Sequence, residues 1–204
     1  SWPSFTPEEA DAIRDTLLSN RVNYWTGQEC RHFESEFAAF SQTRHAVALA
    51  NGTLALDAAL KALSIGPGDE VIVPAFTWVA TANVVLYCGA TPVFIDVDPQ
   101  TYNLDVAQIT AKVTDRTRAV IAVHLFGRCV DMDALRAGLP ADVAIVEDAA
   151  CAAGASWKGK PSGSLGDVAA FSFHPRKSVT TGEGGMVTTR DQRLYERAVR
   201  LSDL

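Results

Sequence analysis

Runs of apolar residues recur along the chain and predict β-strands. They cover residues 45–50, 70–73, 93–97, 119–123, 143–147, 168–173 and 185–189. Several runs are apolar throughout and do not alternate with polar residues. That pattern is typical of strands buried on both faces in a parallel sheet that helices cover. The sequence therefore predicts a mostly parallel sheet of seven strands.

Segments with helical spacing precede these strands and alternate with them. Thr6-Pro-Glu-Glu9 is a capping box with proline at the first helical position, which predicts the start of a helix. Phe33, Phe37 and Phe40 recur at helical spacing and indicate a second helix with an aromatic core face. The predicted helices cover residues 7–18, 29–40, 53–63, 77–86, 105–113, 131–137 and 191–204. The alternation of strands and helices predicts an α/β fold, a three-layer sandwich.

The length of 204 residues favours one domain. We expect residues 1–40 to form an N-terminal helical arm and residues 41–204 to form the sheet domain. The chain starts at Ser1 without a methionine and stops inside a helical pattern that no glycine caps. We therefore expect it to be the N-terminal part of a longer protein.

Composition and charge limit the classes of partner that the sequence predicts for this protein. A formal net charge of −6 gives no basic footprint for nucleic acid. No apolar run approaches the ~20 residues that span a bilayer, and the acidic first twenty residues do not resemble a secretory signal. The cysteines are far apart, without a C-x-x-C pair, which favours a reduced, cytoplasmic setting. We expect neither nucleic acid nor membrane as a partner.

Ligands of open α/β sheets bind at the carboxyl ends of the strands, so the residues after each strand are candidates. Asn51-Gly52-Thr53 leads from the first strand into a helix, where Gly52 and Thr53 would hold a phosphate. A plain helix N-cap is the alternative. Trp78 follows the second strand and would either stack on a flat heteroaromatic ring or pack in the core.

Three further candidates follow later strands. Asp148 ends a buried strand, where an unpaired carboxylate costs several kcal/mol, so a protonated ring nitrogen would suit it as a partner. A helix N-cap is again the alternative. Ser172 is a second candidate phosphate donor. Lys177 precedes a glycine-rich loop, and a desolvated lysine amine forms an imine with a carbonyl. A solvated lysine in a surface loop is its alternative.

The sequence lacks the motifs of nucleotide-binding and metal sites. Residues 154–160 fit the first seven positions of a P-loop, but Pro161 stands where serine or threonine must bind magnesium. No G-x-G-x-x-G motif occurs, and the four histidines show no metal-ligand spacing. We therefore expect no metal site. Pyridoxal phosphate would use all the candidates together, since it needs a lysine, an acid, an aromatic residue and a phosphate cup.

At these residues the sequence resembles the DegT/StrS family of pyridoxal-phosphate sugar aminotransferases. The resemblance extends through nearly the whole chain. It rests on NGTLAL (51–56), PAFTWVATAN (74–83), GATPVFIDVD (89–98), HLFG (124–127), EDAA (147–150) and FSFHPRKSVTTGEGG (171–185). It implies the large domain of a fold-type-I enzyme with a seven-stranded mixed sheet. It also implies a homodimer with active sites at the subunit interface, and a smaller C-terminal domain after Leu204.

The resemblance also implies roles for individual residues. Lys177 resembles the Schiff-base lysine, Asp148 the partner of the pyridine nitrogen, and Trp78 the ring-stacking residue. The phosphate cup matches Gly52, Thr53 and Ser172. Family members often contact substrate at the positions of Tyr24, Trp25 and Thr26.

Two positions depart from the family pattern. Cys151 stands where many members have glutamine near the ring hydroxyl, and Ser178 where many have asparagine. Cys151 is a weak hydrogen-bonding group, so the tuning of the ring hydroxyl would change. Lys177 is kept, whereas dehydratase relatives have histidine, and this favours amino transfer.

The resemblance implies amino transfer from glutamate to a nucleotide-linked keto-sugar, in the biosynthesis of cell-surface polysaccharides or natural-product sugars. Three alternatives stay open. One is a lyase or decarboxylase of the same fold, and another is a sensor that binds the cofactor without turnover. The third is a fragment whose site is incomplete.

Overall fold

In the computed structural model, residues 2–202 are described and form nine strands and seven α-helices. The strands are β1 (His45–Leu49), β2 (Glu70–Pro74), β3 (Thr91–Ile95), β4 (Thr117–Val123), β5 (Ala144–Asp148), β6 (Ser156–Trp157), β7 (Lys160–Pro161), β8 (Val168–Ser172) and β9 (Gly185–Thr189). The helices are α1 (Pro7–Leu18), α2 (Glu29–Phe40), α3 (Gly52–Ala62), α4 (Ala80–Tyr87), α5 (Ile109–Lys112), α6 (Met132–Ala137) and α7 (Gln192–Ser202).

Seven of these strands form one sheet in the order β1-β9-β8-β5-β4-β2-β3. β9 runs antiparallel to its neighbours β1 and β8, and the remaining pairs are parallel. The prediction of a seven-stranded, mostly parallel sheet is therefore confirmed. β6 and β7 form a separate antiparallel pair.

Helices cover both faces of the sheet. Successive side chains of a strand point to opposite faces, so buried side chains on both faces need a covering layer. In β4, Ile121 packs in one core cluster with α3, α4 and α7, whereas Val120 packs in another with α5 and α6. The second face continues under α2, where Phe37 contacts the sheet. Each fully buried large apolar side chain contributes about 1.5–3 kcal/mol. The predicted three-layer sandwich is confirmed.

The two N-terminal helices differ in how they pack. α1 begins with the predicted capping box, in which the Thr6 N–H donates to Glu9 Oε2 at 2.6 Å, and α1 has no buried residue. In α2, by contrast, the Phe37 ring packs against Phe171 and Phe173, with ring centroids 4.8 and 5.3 Å away. The division into an arm and a sheet domain stays a prediction.

Two boundaries near the site differ from the predictions. The helix predicted over 77–86 begins only at Ala80, so Trp78 precedes α4 and is not part of it. The strand predicted over 93–97 is β3, which begins two residues earlier and contains Pro92. Proline is tolerated there because β3 is an edge strand that hydrogen-bonds only to β2.

Three other segments refine the prediction. The helix predicted over 105–113 is a 3₁₀ turn, Val106–Gln108, followed by the single turn of α5. The P-loop-like segment forms the β6–β7 hairpin, whose turn residues Lys158 and Gly159 have φ of 49° and 81°, as in a type I′ turn. α7 confirms the last predicted helix as far as Ser202, and residues 203–204 of that prediction lie outside the described range. No helix in the described part is long and apolar enough to cross a membrane.

Candidate active site

Asp148 is the last residue of β5, and its side chain is buried. Its Oδ2 accepts a hydrogen bond from Thr81 Oγ1 at 2.9 Å, and its Oδ1 accepts one from the Ala150 N–H at 3.2 Å. Burial raises the pKa of Asp148, while these hydrogen bonds and the nearby charge of Lys177 oppose the rise. A turn follows β5, so Asp148 is not a helix N-cap. Its two donors are neutral, which leaves the carboxylate suited to a cationic partner.

Thr81 is a site residue that the sequence reading missed. It lies on α4, is fully buried, and links Asp148 to Thr77, whose Oγ1 lies 3.1 Å from Thr81 Oγ1. Thr77 lies in the bend before α4, so this contact joins the helix to the segment that leads into it. No pattern in the sequence identifies Thr81, because its contact with Asp148 depends on where the fold brings α4 relative to β5.

Trp78 lies beside this hydroxyl chain, between β2 and α4. Its side chain is 76% exposed, so it does not fill the core. An exposed indole at the end of a sheet strand offers a flat apolar face to a ring. Core packing, the alternative for Trp78, is thus not observed.

The start of α3 lies against the end of β8. A Cβ atom on Gly52 would lie 2.7 Å from Ser172 Cβ and 3.2 Å from its Oγ. Asn51 caps α3 by accepting a hydrogen bond from the Leu54 N–H at 2.9 Å. The first N–H groups of an α-helix have no intrahelical partner, and its N-terminus favours anions. Gly52, Thr53 and the Ser172 hydroxyl are therefore together at a corner that suits a phosphate.

Lys177 lies in the loop between β8 and β9. Its Nζ donates a hydrogen bond to Cys151 Sγ at 3.1 Å. The loop closes on the strand end, because the Phe173 N–H donates to the Gly184 carbonyl at 2.8 Å. Lys177 is half-buried and Cys151 is exposed. The structure therefore brings together an amine from the loop after β8 and a thiol from the turn after β5.

Tyr24, Trp25 and Thr26 lie on an exposed loop before α2. The loop is held by Asn23, whose Oδ1 accepts hydrogen bonds from the N–H groups of Trp25 and Thr26. Tyr24 donates to Glu34 at 3.2 Å. Within residues 2–202, no hydrogen bond or ring contact joins these three residues to Asp148 or Lys177. The structure does not bring them into the group around Asp148.

Glu147 precedes Asp148 and faces the other side of the sheet. It is fully buried, and it accepts three backbone N–H bonds from residues 163–166 at 2.7–2.8 Å. Its Oε2 lies 2.9 Å from His124 Nε2. The Val130 N–H donates to His124 Nδ1, so Nε2 carries the proton that faces Glu147. This pair supports β5 on the face of the sheet opposite Asp148, a structural role that the sequence analysis did not assign.

The residues fit pyridoxal phosphate. A buried carboxylate with only neutral donors suits a protonated ring nitrogen, and the Gly52–Ser172 corner suits a phosphate. Trp78 and Lys177 lie at the same carboxyl-terminal edge of the sheet, because both follow parallel strands.

The mixed seven-stranded sheet, with these residues at its carboxyl-terminal edge, has the architecture of the fold-type-I aminotransferases. A family model described as the DegT/DnrJ/EryC1/StrS aminotransferase family matches residues 3–204, and the chain belongs to that family.

Individual relatives agree with this membership. GDP-perosamine synthase of Caulobacter vibrioides is 51% identical over 185 residues, which cover 89% of this chain and 50% of the relative. The crystal structure of an aminotransferase from Psychrobacter cryohalolentis superimposes with a TM-score of 0.94 at 52% identity, covering 98% of this chain and 51% of that one. The PLP form of Spr1654 from Streptococcus pneumoniae gives a TM-score of 0.89 at 34% identity, over 98% of this chain and 56% of that one. The chain thus spans about half the length of the relatives it matches.

Proposed function

We propose that the chain is the large domain of a pyridoxal-phosphate aminotransferase that transfers an amino group, from glutamate, to a nucleotide-linked keto-sugar. The observation that carries the proposal is the buried carboxylate of Asp148, which has only neutral hydrogen-bond donors, at the same sheet edge as Lys177. Family membership and the name of the relative GDP-perosamine synthase support this reaction and substrate class. A role in making cell-surface polysaccharides or natural-product sugars follows from the same class of product.

Each site residue has a distinct role in this proposal. Bound pyridoxal phosphate supplies an electron-accepting ring for the carbanion that forms when the donor loses its α-proton. Asp148 would keep the ring nitrogen protonated, and Trp78 would cover one face of the ring. The Nζ of Lys177 would hold the cofactor covalently at rest, and in turnover it would take the proton from the donor's α-carbon and deliver it to the cofactor's imine carbon. Such general acid–base catalysis contributes roughly 10²–10⁴ in rate.

The remaining roles concern binding. The N-terminal N–H groups of α3 at Gly52 and Thr53 bind the phosphate together with the Ser172 hydroxyl. Cys151, which lies beside Lys177, would be near the ring hydroxyl. The exposed loop with Tyr24, Trp25 and Thr26 contacts the sugar substrate. No metal takes part in these roles.

We further propose a homodimer whose active sites lie at the subunit interface. An exposed aromatic row supports it: the Tyr102 ring centroid lies 6.0 Å from that of Phe76 and 6.4 Å from that of Phe126. Tyr102 and Phe126 both have positive φ, 59° and 56°, an uncommon conformation for bulky residues. The row therefore carries local backbone strain while exposing apolar rings, which suits burial against a second copy of the chain.

The proposed organisation is a helical arm over residues 1–40, a cofactor-binding domain over residues 41–204 and a further, smaller domain in the longer protein. The relatives, which are about twice as long, support that further domain. A cytoplasmic setting is supported by four free cysteines, which are typical of a reducing compartment.

The first test is an absorbance spectrum of the purified protein with pyridoxal phosphate. We expect a visible band from cofactor attached to a lysine, and borohydride reduction followed by peptide mapping should find the adduct on Lys177. Glutamate should bleach the band and release 2-oxoglutarate. The matched variant Lys177→Ala should show neither band nor adduct, because no other residue of the proposed site carries an amine. An adduct on another lysine, or none in the longest natural chain that contains this sequence, would contradict the proposal.

A further inference from the structure

Cys151 and Lys177 form a direct contact between two nucleophilic side chains. Cys151 lies in the turn after β5 and Lys177 in the loop after β8. β5 and β8 are adjacent parallel strands, so the segments that follow them leave the sheet side by side. The distance of 3.1 Å between Nζ and Sγ leaves no room for another group between the two atoms.

Cys151 also differs from the other cysteines in accessibility. Cys151 is exposed, Cys30 and Cys88 are half-buried, and Cys129 is buried. Burial raises the pKa of Cys30 and Cys88, and raises that of Cys129 to about 11. The thiolate is the form that reacts with oxidants, and reactivity requires access, so those three thiols are poor targets. A small peroxide therefore reaches Cys151 first.

We propose that Cys151 and Lys177 form a reversible sulfenamide crosslink when the protein meets hydrogen peroxide. Oxidation of a thiol gives a sulfenic acid, which condenses with a thiol or with a backbone nitrogen, and an unprotonated lysine amine is a stronger nucleophile than a backbone amide. The structure places an amine, and not a second thiol, next to Cys151. The pair is therefore an oxidative modification site inside the proposed cofactor site.

The two steps balance in atoms and electrons. Peroxide transfers one oxygen atom to Sγ, so the thiol is oxidised to sulfenic acid and the peroxide is reduced to water. The unprotonated Nζ then attacks Sγ, an S–N bond forms, the S–O bond breaks, and hydroxide leaves with the amine proton as a second water. The product is two hydrogen atoms lighter than the reduced protein. Two equivalents of an added thiol return Cys151 and Lys177 and leave the disulfide of that thiol.

The crosslink would act as a switch on the proposed function, and this consequence rests on that proposal. Nζ of Lys177 is the atom that would hold pyridoxal phosphate. A sulfenamide occupies that atom, so cofactor added afterwards should fail to attach. Cofactor added first should protect the pair, because the amine is then already bonded.

Tryptic mapping after peroxide treatment of the cofactor-free protein tests the crosslink directly. In the reduced chain, trypsin cleaves after Arg136, Lys158, Arg176, Lys177 and Arg190. The crosslink blocks cleavage after Lys177, so peptides 137–158 and 177–190 should appear joined, two hydrogens lighter than their sum. The free 137–158 peptide should disappear and return with added thiol. Cys151→Ser should give no joined species, whereas the control Cys30→Ser should give it as the unaltered chain does.

The readout separates this inference from the proposed function. Peroxide that leaves Lys177 free, with Cys151 as sulfinic acid or in a disulfide between chains, would overturn the crosslink while leaving cofactor attachment untouched. A crosslink in a protein that shows no cofactor band when reduced would instead uphold the crosslink and contradict the proposed function. Both outcomes are read from masses and do not require turnover.

Discussion

The buried carboxylate of Asp148 suits a bound cation but lowers the stability of the folded chain. The side chain lies at the end of β5, fully inside the protein, with Thr81 and the Ala150 N–H as its donors. Burying a carboxylate without a cationic partner in direct contact is unfavourable, which is why its pKa rises above the usual value of 3.8. The folded chain is therefore less stable than a chain with a neutral group there, until a cation binds.

Asp148→Asn tests this cost. The folded pKa is raised, so above pH 3.8 the unfolded chain binds fewer protons at this site than the folded chain, and stability falls as pH rises. We therefore expect the variant to unfold at a higher denaturant concentration than the unaltered protein at neutral and alkaline pH. The difference should shrink as the pH is lowered, because the carboxyl group of Asp148 is then increasingly protonated in the folded chain.

Urea unfolding at several pH values measures this difference. Added pyridoxal phosphate should stabilise the unaltered protein more than the variant, because only the aspartate provides a negative charge for the ring nitrogen. A variant that is less stable at every pH would show that the carboxylate is a stabilising group and contradict the argument.

At the scale of elements, the contact between α3 and β8 depends on glycine at position 52. Gly52→Ala places a Cβ 2.7 Å from Ser172 Cβ, closer than real Cβ contacts, so α3 and β8 must separate. We expect a loss of about 1–3 kcal/mol in the free energy of unfolding and weaker phosphate binding, because the Ser172 hydroxyl and the first N–H groups of α3 move apart.

Gly66→Ala is the matched control for that substitution. No heavy atom lies within 4 Å of a Cβ built on Gly66, and its φ is not in the left-handed region. Its stability should stay unchanged or rise by up to about 1 kcal/mol, since alanine restricts the unfolded chain. Urea unfolding and titration with inorganic phosphate measure both variants. Equal effects at the two glycines would mean that the α3–β8 contact has no special role.

Strand and helix identity could be predicted because burial on both faces and helical spacing leave periodic patterns in sequence. Contacts between elements leave weaker traces. Thr81 and Asp148 are 67 residues apart, and nothing local indicates that α4 brings its hydroxyl to β5. The pairing of Glu147 with His124 likewise depends on which strands are neighbours. The strand predicted from residue 93 begins at Thr91, because an edge strand tolerates Pro92 and the sequence does not reveal that β3 is an edge.

The residues of the candidate site also divide into those that the local sequence predicts and those that depend on contacts between elements. Asp148, Ser172 and Gly52 were predicted because each lies at the end of a strand or the start of a helix, where topology alone sets the location. Exposure was not predictable: Trp78 was assigned either to stacking or to the core, and only the three-dimensional structure shows it 76% exposed. The contact between Lys177 and Cys151 required the order of β5 and β8 in the sheet.

On the scale of the whole molecule, two exposed apolar surfaces compete as the interface of the proposed dimer. One is the aromatic row, in which Phe76, Tyr102 and Phe126 are 52%, 50% and 74% exposed. The other is α1, where Leu17 is 64% exposed and no residue is buried. The aromatic row is favoured because two of its members, Tyr102 and Phe126, also hold strained backbone conformations.

The double variant Tyr102→Asn, Phe126→Asn tests the aromatic row. Asparagine tolerates positive φ, so the variant should relieve strain and leave the monomer at least as stable. Loss of two apolar rings should raise the dimer dissociation constant by about tenfold or more, since each 1.4 kcal/mol changes it tenfold. Sedimentation at several concentrations measures this, with Leu17→Gln as the comparison on α1. Dimers that survive the double variant but dissociate in Leu17→Gln would move the interface to α1, and a chain that stays monomeric throughout would contradict a site shared between subunits.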